Sequence, residues 1–155
     1  MIDLQTVWDN EAQRGDLALK GGALAQDQSL LTAIVISLFT DRRAKDDDEL
    51  PYNDGDKKGW WGDLVAPVAG DQIGSRLWLL WREKALQINL NRAREYAQEA
   101  LAWLVEDGLA DKVEVEAEQP RRGVLGLKIS VTNPGGELLT WTFENAGETT
   151  SWAIK

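Results

Sequence analysis

Apolar residues recur at helical spacing most clearly between Leu90 and Asp107. They lie along one stripe, and charged residues occupy the opposite side. The members of this stripe are Leu90, Ala93, Ala97, Leu101 and Leu104. Gly108 follows the pattern directly, and glycine favours the left-handed conformation in which many helices end. The pattern therefore predicts an amphipathic helix from about Leu90 to Asp107, with one face in the core.

A second helix is predicted from Leu30 to Phe39, where apolar residues occupy most of the helical circumference. A helix of this kind has to be buried on all sides. Asp27 or Ser29 precedes it, and either side chain can cap the first turn. The β-branched cluster at 34–36 leaves a strand as the alternative interpretation.

After Gly108 apolar and polar residues alternate, which is typical of strands with one buried face. The alternating segments span residues 113–118, 125–132 and 139–143. The sequence Asn133-Pro134-Gly135-Gly136 predicts the turn between the last two segments. We expect a three-stranded antiparallel meander whose apolar face packs on the helices and whose polar face meets water or a partner.

Two shorter elements complete the prediction. Leucines on either side of Gly21-Gly22 predict a short N-terminal hairpin within residues 16–25. A short helix is predicted to begin near Ile73 or Ser75 and to end near Lys84.

Between the predicted helices, glycine, proline and acidic residues replace the periodic pattern and predict a long loop over about 41–73. Loops longer than about 12–15 residues are usually functional or disordered. The fold class is therefore α+β, a three-stranded C-terminal antiparallel meander packed on two main helices, with a short N-terminal hairpin and a long tryptophan-bearing loop. At 155 residues the chain is expected to form a single domain over residues 1–155.

The amino-acid composition excludes several classes of catalytic and metal-binding site. The chain has no cysteine and no histidine, so triads based on either residue and zinc or haem sites that need them are excluded. A formal charge of −9 disfavours nucleic acid as a partner. The longest apolar run is far shorter than the ~20 residues of a membrane helix, and the N-terminus shows no secretion pattern, so we expect a cytoplasmic origin. Eight tryptophans against two tyrosines and two phenylalanines favour an interaction protein.

Acidic residues in the long loop suggest two kinds of site. The acids and amides around Asp46-Asp47-Asp48-Glu49 provide oxygen ligands, but their spacing does not match a calcium loop, so we expect a solvated loop and no metal. Glu49 and Asp63 lie near the tryptophans in the sequence, and a glycosidase acts through a pair of carboxylates. With 26 acids in the chain, two near an aromatic residue are expected by chance.

The tryptophan pair Trp60-Trp61 is flanked by Gly59 and Gly62 and followed by Asp63. Flanking glycines allow backbone conformations that direct one indole inward and one outward. The alternative is that the pair plugs the core from outside.

Arg42, Arg43 and Arg76 are candidates for a buried network, because one guanidinium can bind several carbonyl and carboxylate groups and so tie the loop to a helix end. The alternative is that they form surface ion pairs with neighbouring acids. Trp141, on the last predicted strand, is a further contact candidate.

Three ordered motifs carry a resemblance to a known family. They are Leu38-Phe39-Thr40-Asp41-Arg42-Arg43-Ala44, Gly59-Trp60-Trp61-Gly62-Asp63 and Gly74-Ser75-Arg76-Leu77-Trp78-Leu79-Leu80. With these motifs at fitting spacing, nearly the whole chain resembles the Mu-like phage tail baseplate proteins numbered forty-six. That family is related to the wedge and sheath-initiator proteins of contractile tails, whose small α+β fold is called lysozyme-like although their role is structural.

The resemblance also implies roles for residues. It places Arg42 and Arg43 at the short acid–arginine motif that follows the first core helix of the wider group, although Asp41-Arg42-Arg43 stands here where a Glu-Pro-Arg-like signature is expected. The long tryptophan-bearing loop belongs to the Mu-like branch.

From the resemblance we expect a non-enzymatic baseplate subunit without cofactors, located in the virion tail and assembled in the host cytoplasm. It would join the wedge and hub region to the start of the tube and sheath, with other baseplate and tail proteins as partners, the sheath subunit among the candidates, and neither nucleic acid nor membrane. We expect the hairpin Val124–Glu144 to offer a sheet edge to a partner strand. A tail-associated lysozyme-like glycosidase acting on peptidoglycan, and a host regulatory binding module, are the alternatives.

Overall fold

The computed structural model describes residues 3–4, 6–9, 14–17, 19–20, 23–24, 26–27, 30–52, 54–66, 68, 70–80, 87–145 and 152–154. Its helices are α1 (Leu31–Phe39), α2 (Gln87–Leu101) and α3 (Trp103–Glu106), and two 3-10 helices span Trp61–Val65 and Leu77–Leu80. The combination of helices with an antiparallel sheet confirms the α+β class.

The predicted helix from Leu90 to Asp107 is present, but it begins at Gln87 and is interrupted at Ala102, which separates α2 from α3. Gly108 has a φ of 72°, the conformation expected of the residue that ends the helix. The predicted short helix after Ser75 is a single 3-10 turn at Leu77–Leu80, and the part of the prediction from 81 to 84 lies outside the described residues.

Helix α1 confirms the predicted helix and excludes the strand alternative, but its details differ from the expectation. Its N-cap residue is Leu30, in a left-handed conformation with no side-chain cap. Asp27 lies in a strand, so a cap from Asp27 is wrong, and Ser29 lies outside the described residues. The expectation of burial on all sides is also wrong, because Ile36 is exposed. A polar residue, Ser37, is buried instead and accepts a hydrogen bond from Nε1 of Trp103 at 3.0 Å.

The main sheet has four antiparallel strands, β7 (Lys112–Arg121), β8 (Val124–Thr132), β9 (Leu138–Asn145) and β10 (Trp152–Ile154). Across the sheet their order is β10-β9-β8-β7. The predicted meander is thus confirmed and extended by β10, which the sequence pattern did not reveal. The register places Val115, Ile129 and Trp141 in one row on the inner face.

The outer face of this sheet is polar, as predicted, with Glu116, Lys128 and Thr142 in one row. The predicted free edge of the hairpin Val124–Glu144 is covered only in part, because among the described strands nothing pairs with residues 138–142 of β9 on the side away from β8. Strand β8 is enclosed by β7 and β9, and β10 covers β9 at Phe143–Asn145. Among the described strands, the long open edge is that of β7.

Short strand pairs precede α1. They are β1 (Asp3–Leu4) with β6 (Gln26–Asp27), β2 (Thr6–Asp9) with β3 (Arg14–Leu17), and β4 (Leu19–Lys20) with β5 (Ala23–Leu24), all antiparallel. The last pair confirms the predicted hairpin, whose two glycines lie outside the described residues.

The main core lies between the helices and the inner face of the sheet. Ile34 and Leu38 from α1, Ala97 and Leu101 from α2, and Phe143 from β9 are fully or almost fully buried in it. None of the described helices has the length and apolar character needed to cross a membrane. The single domain over residues 1–155 stays a prediction.

Candidate interaction surface

The two ends of the long loop lie side by side. The backbone N–H of Arg42 donates to the carbonyl of Ser75 at 2.9 Å, and the N–H of Ser75 donates to the carbonyl of Thr40 at 2.9 Å. Gly74 makes this pairing possible, since its φ is 93° and a Cβ there would lie 2.3 Å from the carbonyl oxygen of Thr40. The loop is therefore closed at its base by backbone contacts.

Below the loop lies a second, smaller core. It consists of Ala44, Trp78 and Leu79, with Leu50 and Tyr96 packed against them. Nε1 of Trp78 donates to the carbonyl of Arg42 at 2.8 Å. Lys58 places Nζ 4.9 Å from the centre of the Trp78 ring and pairs with Asp41 at 2.7 Å. One buried indole thus fixes the beginning of the loop.

Arg76 is the centre of a charged network that links the loop to α2. Its Nη1 contacts both carboxylate oxygens of Asp48 at 2.7 and 3.0 Å, and its Nη2 donates to Glu99 at 2.8 Å. The guanidinium also lies 4.4 Å from the ring centre of Tyr96. The side chains of Arg76 and Asp48 are only 11% and 9% exposed. This is the buried network that the sequence suggested for Arg76.

The charges in this network stabilise one another. Burial alone raises the pKa of Glu99, but hydrogen bonds from Arg76 and Lys45 outweigh it, so the pKa of Glu99 lies below its usual value. Burial alone lowers the pKa of Arg76, and its hydrogen bonds to Glu99 and Asp48 reverse that effect, so the pKa of Arg76 lies above its usual value. Both shifts favour the charged forms of Glu99 and Arg76.

The other two arginines have more local roles. Arg42 donates from Nε to the amide oxygen of Gln72 at 3.2 Å, which joins the two ends of the loop a second time. Arg43 is exposed and places Nη1 3.4 Å from the carbonyl of Lys58. Neither described contact is a surface ion pair with a neighbouring acid, and both contacts fasten the loop to itself.

The tryptophan pair lies at the surface. The ring centres of Trp60 and Trp61 are 5.5 Å apart, and both side chains are exposed. The expectation that one indole points inward is therefore wrong, and so is the plug alternative. Trp61 begins the first 3-10 helix, in which residues three apart share a face, so Trp61 and Leu64 project on the same side.

Five apolar side chains of this part of the loop are exposed, and they are called here the tryptophan patch. Its members and their exposed fractions are Trp60 43%, Trp61 73%, Leu64 88%, Val65 73% and Val68 65%. The two tryptophans were predictable from the sequence, whereas the three aliphatic residues were not. Their signal was a run of apolar residues within a polar, glycine-rich loop and without strand or helix spacing.

Asp63 fastens the patch from its inner side. One carboxylate oxygen accepts a hydrogen bond from the backbone N–H of Ile73 at 3.2 Å. The other oxygen is buried and has no hydrogen-bond partner among the described residues. Asp63 thus holds the 3-10 helix against the end of the loop.

Three further acids of the loop, Asp46, Asp54 and Asp56, have local partners. Asp46 pairs with Lys57, and the hydrogen bond from Lys57 holds the pKa of Asp46 below its usual value. Asp54 and Asp56 accept backbone N–H groups two residues further on. Among the residues that the structure describes, no group of three or more acids is placed to hold a metal ion.

Trp141 lies on the inner face of the main sheet, where it is partly buried and packs against the core. Glu49 is exposed at the surface. The structure therefore brings Arg42, Arg43, Trp60, Trp61, Asp63 and Arg76 into one loop and its base, and it places Trp141 elsewhere.

Comparison with known proteins finds similarity over most of the chain. Residues 30–138 match the family described as Phage protein GP46. The chain is 48% identical to the "Baseplate protein gp46" of Escherichia phage Mu over 146 residues, which cover 94% of this chain and 97% of that protein. It is 43% identical to the "Mu-like prophage FluMu protein gp46" of Haemophilus influenzae over 143 residues, covering 92% and 96% respectively.

Proposed function

Because this chain belongs to the phage protein GP46 family, we propose that it is a structural subunit of the baseplate of a contractile phage tail. The observation that carries the proposal is its identity of 48% to the Mu baseplate protein over nearly the full length of both chains. An exposed apolar surface on a firmly held loop is what a subunit that works through protein contacts needs.

In finer terms, we propose that the subunit joins the wedge and hub region to the start of the tube and sheath, as part of the virion. Its partners would be other baseplate and tail proteins, with the sheath subunit as one candidate. Trp60 and Trp61 would make the contacts, while Asp63 and Arg76 would hold the loop that presents them. Trp141 would act through the packing of the sheet.

Strand addition is a second candidate mode of contact. Strand β7 spans Lys112–Arg121, and its only described pairing is with β8. A partner strand could extend the sheet at this edge through backbone hydrogen bonds. This proposal moves the expected edge from the last hairpin to the opposite side of the sheet.

We also propose that the subunit is not an enzyme. Neither relative has a name that points to a hydrolase, so the lysozyme alternative has no support from them. Asp63, one of its two candidate carboxylates, accepts the N–H of Ile73 and so has a structural role. Incubation of the purified protein with peptidoglycan, at acidic and neutral pH, should release no soluble fragments. Release that disappears in Glu49→Gln or Asp63→Asn would contradict this.

The proposed function is tested in the tails themselves. Mass spectrometry of purified tails should detect the chain, and deletion of its gene should abolish complete tails in electron micrographs. Expression of the intact chain from a plasmid should restore them. Normal tails in the deletion strain would contradict a structural role, and a chain found only with a soluble host protein would favour a regulatory module.

A further inference from the structure

We propose that one part of the long loop opens by itself, while the main core and the base of the loop stay folded. This part, called here the acidic arm, consists of residues 44–52 and 54–57 and contains the run Asp46-Asp47-Asp48-Glu49. Its opening would be a conformational step of the subunit alone, and so it goes beyond the proposed function, which concerns contacts with other proteins.

The acidic arm is bonded within itself and can therefore move as one body. At its two ends, the backbone N–H of Ala44 donates to the carbonyl of Lys57 at 2.9 Å. Between these ends, the N–H of Lys45 donates to a carboxylate oxygen of Asp48 at 2.7 Å, and Lys57 pairs with Asp46. None of these three contacts has to break when the arm moves away from its neighbours.

The base of the loop is fastened by separate contacts that lie just outside the arm. The N–H of Arg42 donates to the carbonyl of Ser75, and the carbonyl of Arg42 accepts a hydrogen bond from Nε1 of Trp78. At the other end of the arm, Lys58 pairs with Asp41 at 2.7 Å. Because Arg42 and Lys58 border the arm, these contacts keep the base closed while the arm opens.

Little apolar surface holds the arm in place. It contributes Ala44 and Leu50 to the second core, where they pack with Trp78, Leu79 and Tyr96. Alanine has a small side chain, and Leu50 is only partly buried. Since the free energy of apolar burial rises with the area buried, separation of the arm costs less than unfolding of the main core. Segments with few buried apolar contacts open at a lower free energy than the whole fold.

The ion pair between Asp48 and Arg76 fastens the arm, and it lies where the side chains are only 9% and 11% exposed. Arg76 is also held without Asp48, because Nε and Nη2 donate to Glu99 and the guanidinium lies 4.4 Å from the ring centre of Tyr96. When the arm opens, Asp48 reaches water and Arg76 keeps these partners. Opening therefore leaves neither member of the pair as a buried, uncompensated charge.

The chain has no cysteine, so a single introduced thiol reports opening at one place. Ala44→Cys puts this thiol in the second core and Ala97→Cys puts it in the main core, at positions that are 5% and 0% exposed. In native buffer, Ala44→Cys should react with a soluble thiol reagent at least about tenfold faster than Ala97→Cys, each rate being divided by that of the unfolded variant. Equal rates would overturn the inference, because both thiols would then become accessible only through global unfolding.

A second pair of thiols makes the test independent of these two substitutions. Leu77 and Leu79 lie in the same 3-10 helix and are 3% and 4% exposed, but Leu77 packs in the main core and Leu79 in the second core. Leu79→Cys should therefore react at least about tenfold faster than Leu77→Cys. Since both variants lose the same side chain from the same helix, equal rates would also overturn the inference.

The role of Asp48 is tested in the Ala44→Cys background. Asp48→Asn should raise the labelling rate about tenfold, because the charge that faces Arg76 is lost. Asp47→Asn is the matched control, since Asp47 is the exposed neighbour, and it should leave the rate unchanged. An unchanged rate in Asp48→Asn, or an equal increase when the same change is made in Ala97→Cys, would contradict a separate opening of the arm.

All of these measurements use the purified chain outside the tail. Absence of the chain from tails would contradict the proposed function and leave the labelling rates as they are. Equal labelling of the two cores would refute the opening of the acidic arm and leave a structural role in the baseplate intact.

Discussion

Arg76 and Glu99 join the end of the long loop to helix α2 through two hydrogen bonds. Nε and Nη2 of Arg76 both donate to the same oxygen of Glu99, at 3.1 and 2.8 Å. The third donor, Nη1, binds Asp48 at the beginning of the loop. Since the donors of a guanidinium diverge in one plane, a single side chain can hold two carboxylates from separate parts of the chain.

Removal of this guanidinium should destabilise the fold. We expect Arg76→Ala to lower the free energy of unfolding by about 3 kcal/mol, because it leaves the nearly buried carboxylate of Asp48 without a positive partner. Urea unfolding at neutral pH, followed by tryptophan fluorescence, measures the change.

Lys45 provides the matched control. It contacts the same Glu99 at 3.0 Å, but its side chain is 56% exposed. Because exposed ion pairs contribute little, Lys45→Ala should cost less than about 1 kcal/mol. Equal losses from the two variants would show that burial of the Arg76 network does not determine its contribution.

The lowered pKa of Glu99 predicts a dependence of stability on pH. A carboxyl group whose pKa is lower in the folded state stabilises the fold above its unfolded pKa, which is 4.5 for Glu99, and that contribution is lost as pH falls through the lower, folded value. We therefore expect the free energy of unfolding to decrease as pH falls below about 4.5. In Glu99→Gln this decrease should be smaller, as measured by urea unfolding at a series of acidic pH values.

Glu95 serves as the control for this titration, since it is exposed on the same helix. Glu95→Gln should leave the acid dependence of the unaltered chain unchanged. If Glu99→Gln and the unaltered chain lose stability in parallel as the pH falls, Glu99 is not the origin of the dependence.

The regular elements could be predicted because their spacing is local. Alternation at 125–132 is enough to identify β8, and Gly108 marks the end of the long helical segment. Strand β10 could not be found in this way, because three residues, Trp152–Ile154, are too few to show a period. Its position depends on pairing with β9, which is a tertiary contact.

The sequence predicted several residues of the candidate site but not their arrangement in space. The motif around Trp60-Trp61 indicated that the loop is functional. The same sequence, however, is compatible with a buried plug and with an exposed patch. The exposure of the two indoles depends on which residues pack against the loop, and these tertiary contacts cannot be predicted from a local sequence pattern. The partners of Arg76 lie 28 and 23 residues away in sequence, so spacing could not identify Asp48 and Glu99 among 26 acids.

Gly74 should tolerate no side chain. We expect Gly74→Ala to cost about 3 kcal/mol, because a Cβ would collide with the carbonyl oxygen of Thr40 and a φ of 93° is unfavourable for alanine. Gly70 is the control, since its φ is 85° but nothing lies within 4 Å of a Cβ there. Gly70→Ala should therefore cost only about 1 kcal/mol. Equal costs would show that the contact with Thr40 is not what requires glycine.

Strand β10 should be essential for the core although it is short. Trp152 is buried against Phe39, with ring centres 5.1 Å apart, and Phe39 in turn contacts Phe143 at 5.3 Å. We expect Trp152→Ala to lower the free energy of unfolding by about 3–4 kcal/mol, because a large cavity forms beside two aromatic rings. Urea unfolding measures this loss.

Trp61→Ala is the matched control, because it removes an exposed indole and should change the free energy of unfolding by less than about 0.5 kcal/mol.

The comparison of Trp152→Ala with Trp61→Ala also decides whether truncation of the sheet can be used to test docking at its edge. If Trp152→Ala is as destabilising as expected, truncation of β9 and β10 unfolds the core, and its failure to enter tails would say nothing about a docking edge. If Trp152→Ala is no more destabilising than Trp61→Ala, β10 is not part of the core, and the packing of Trp152 against Phe39 contributes little to stability.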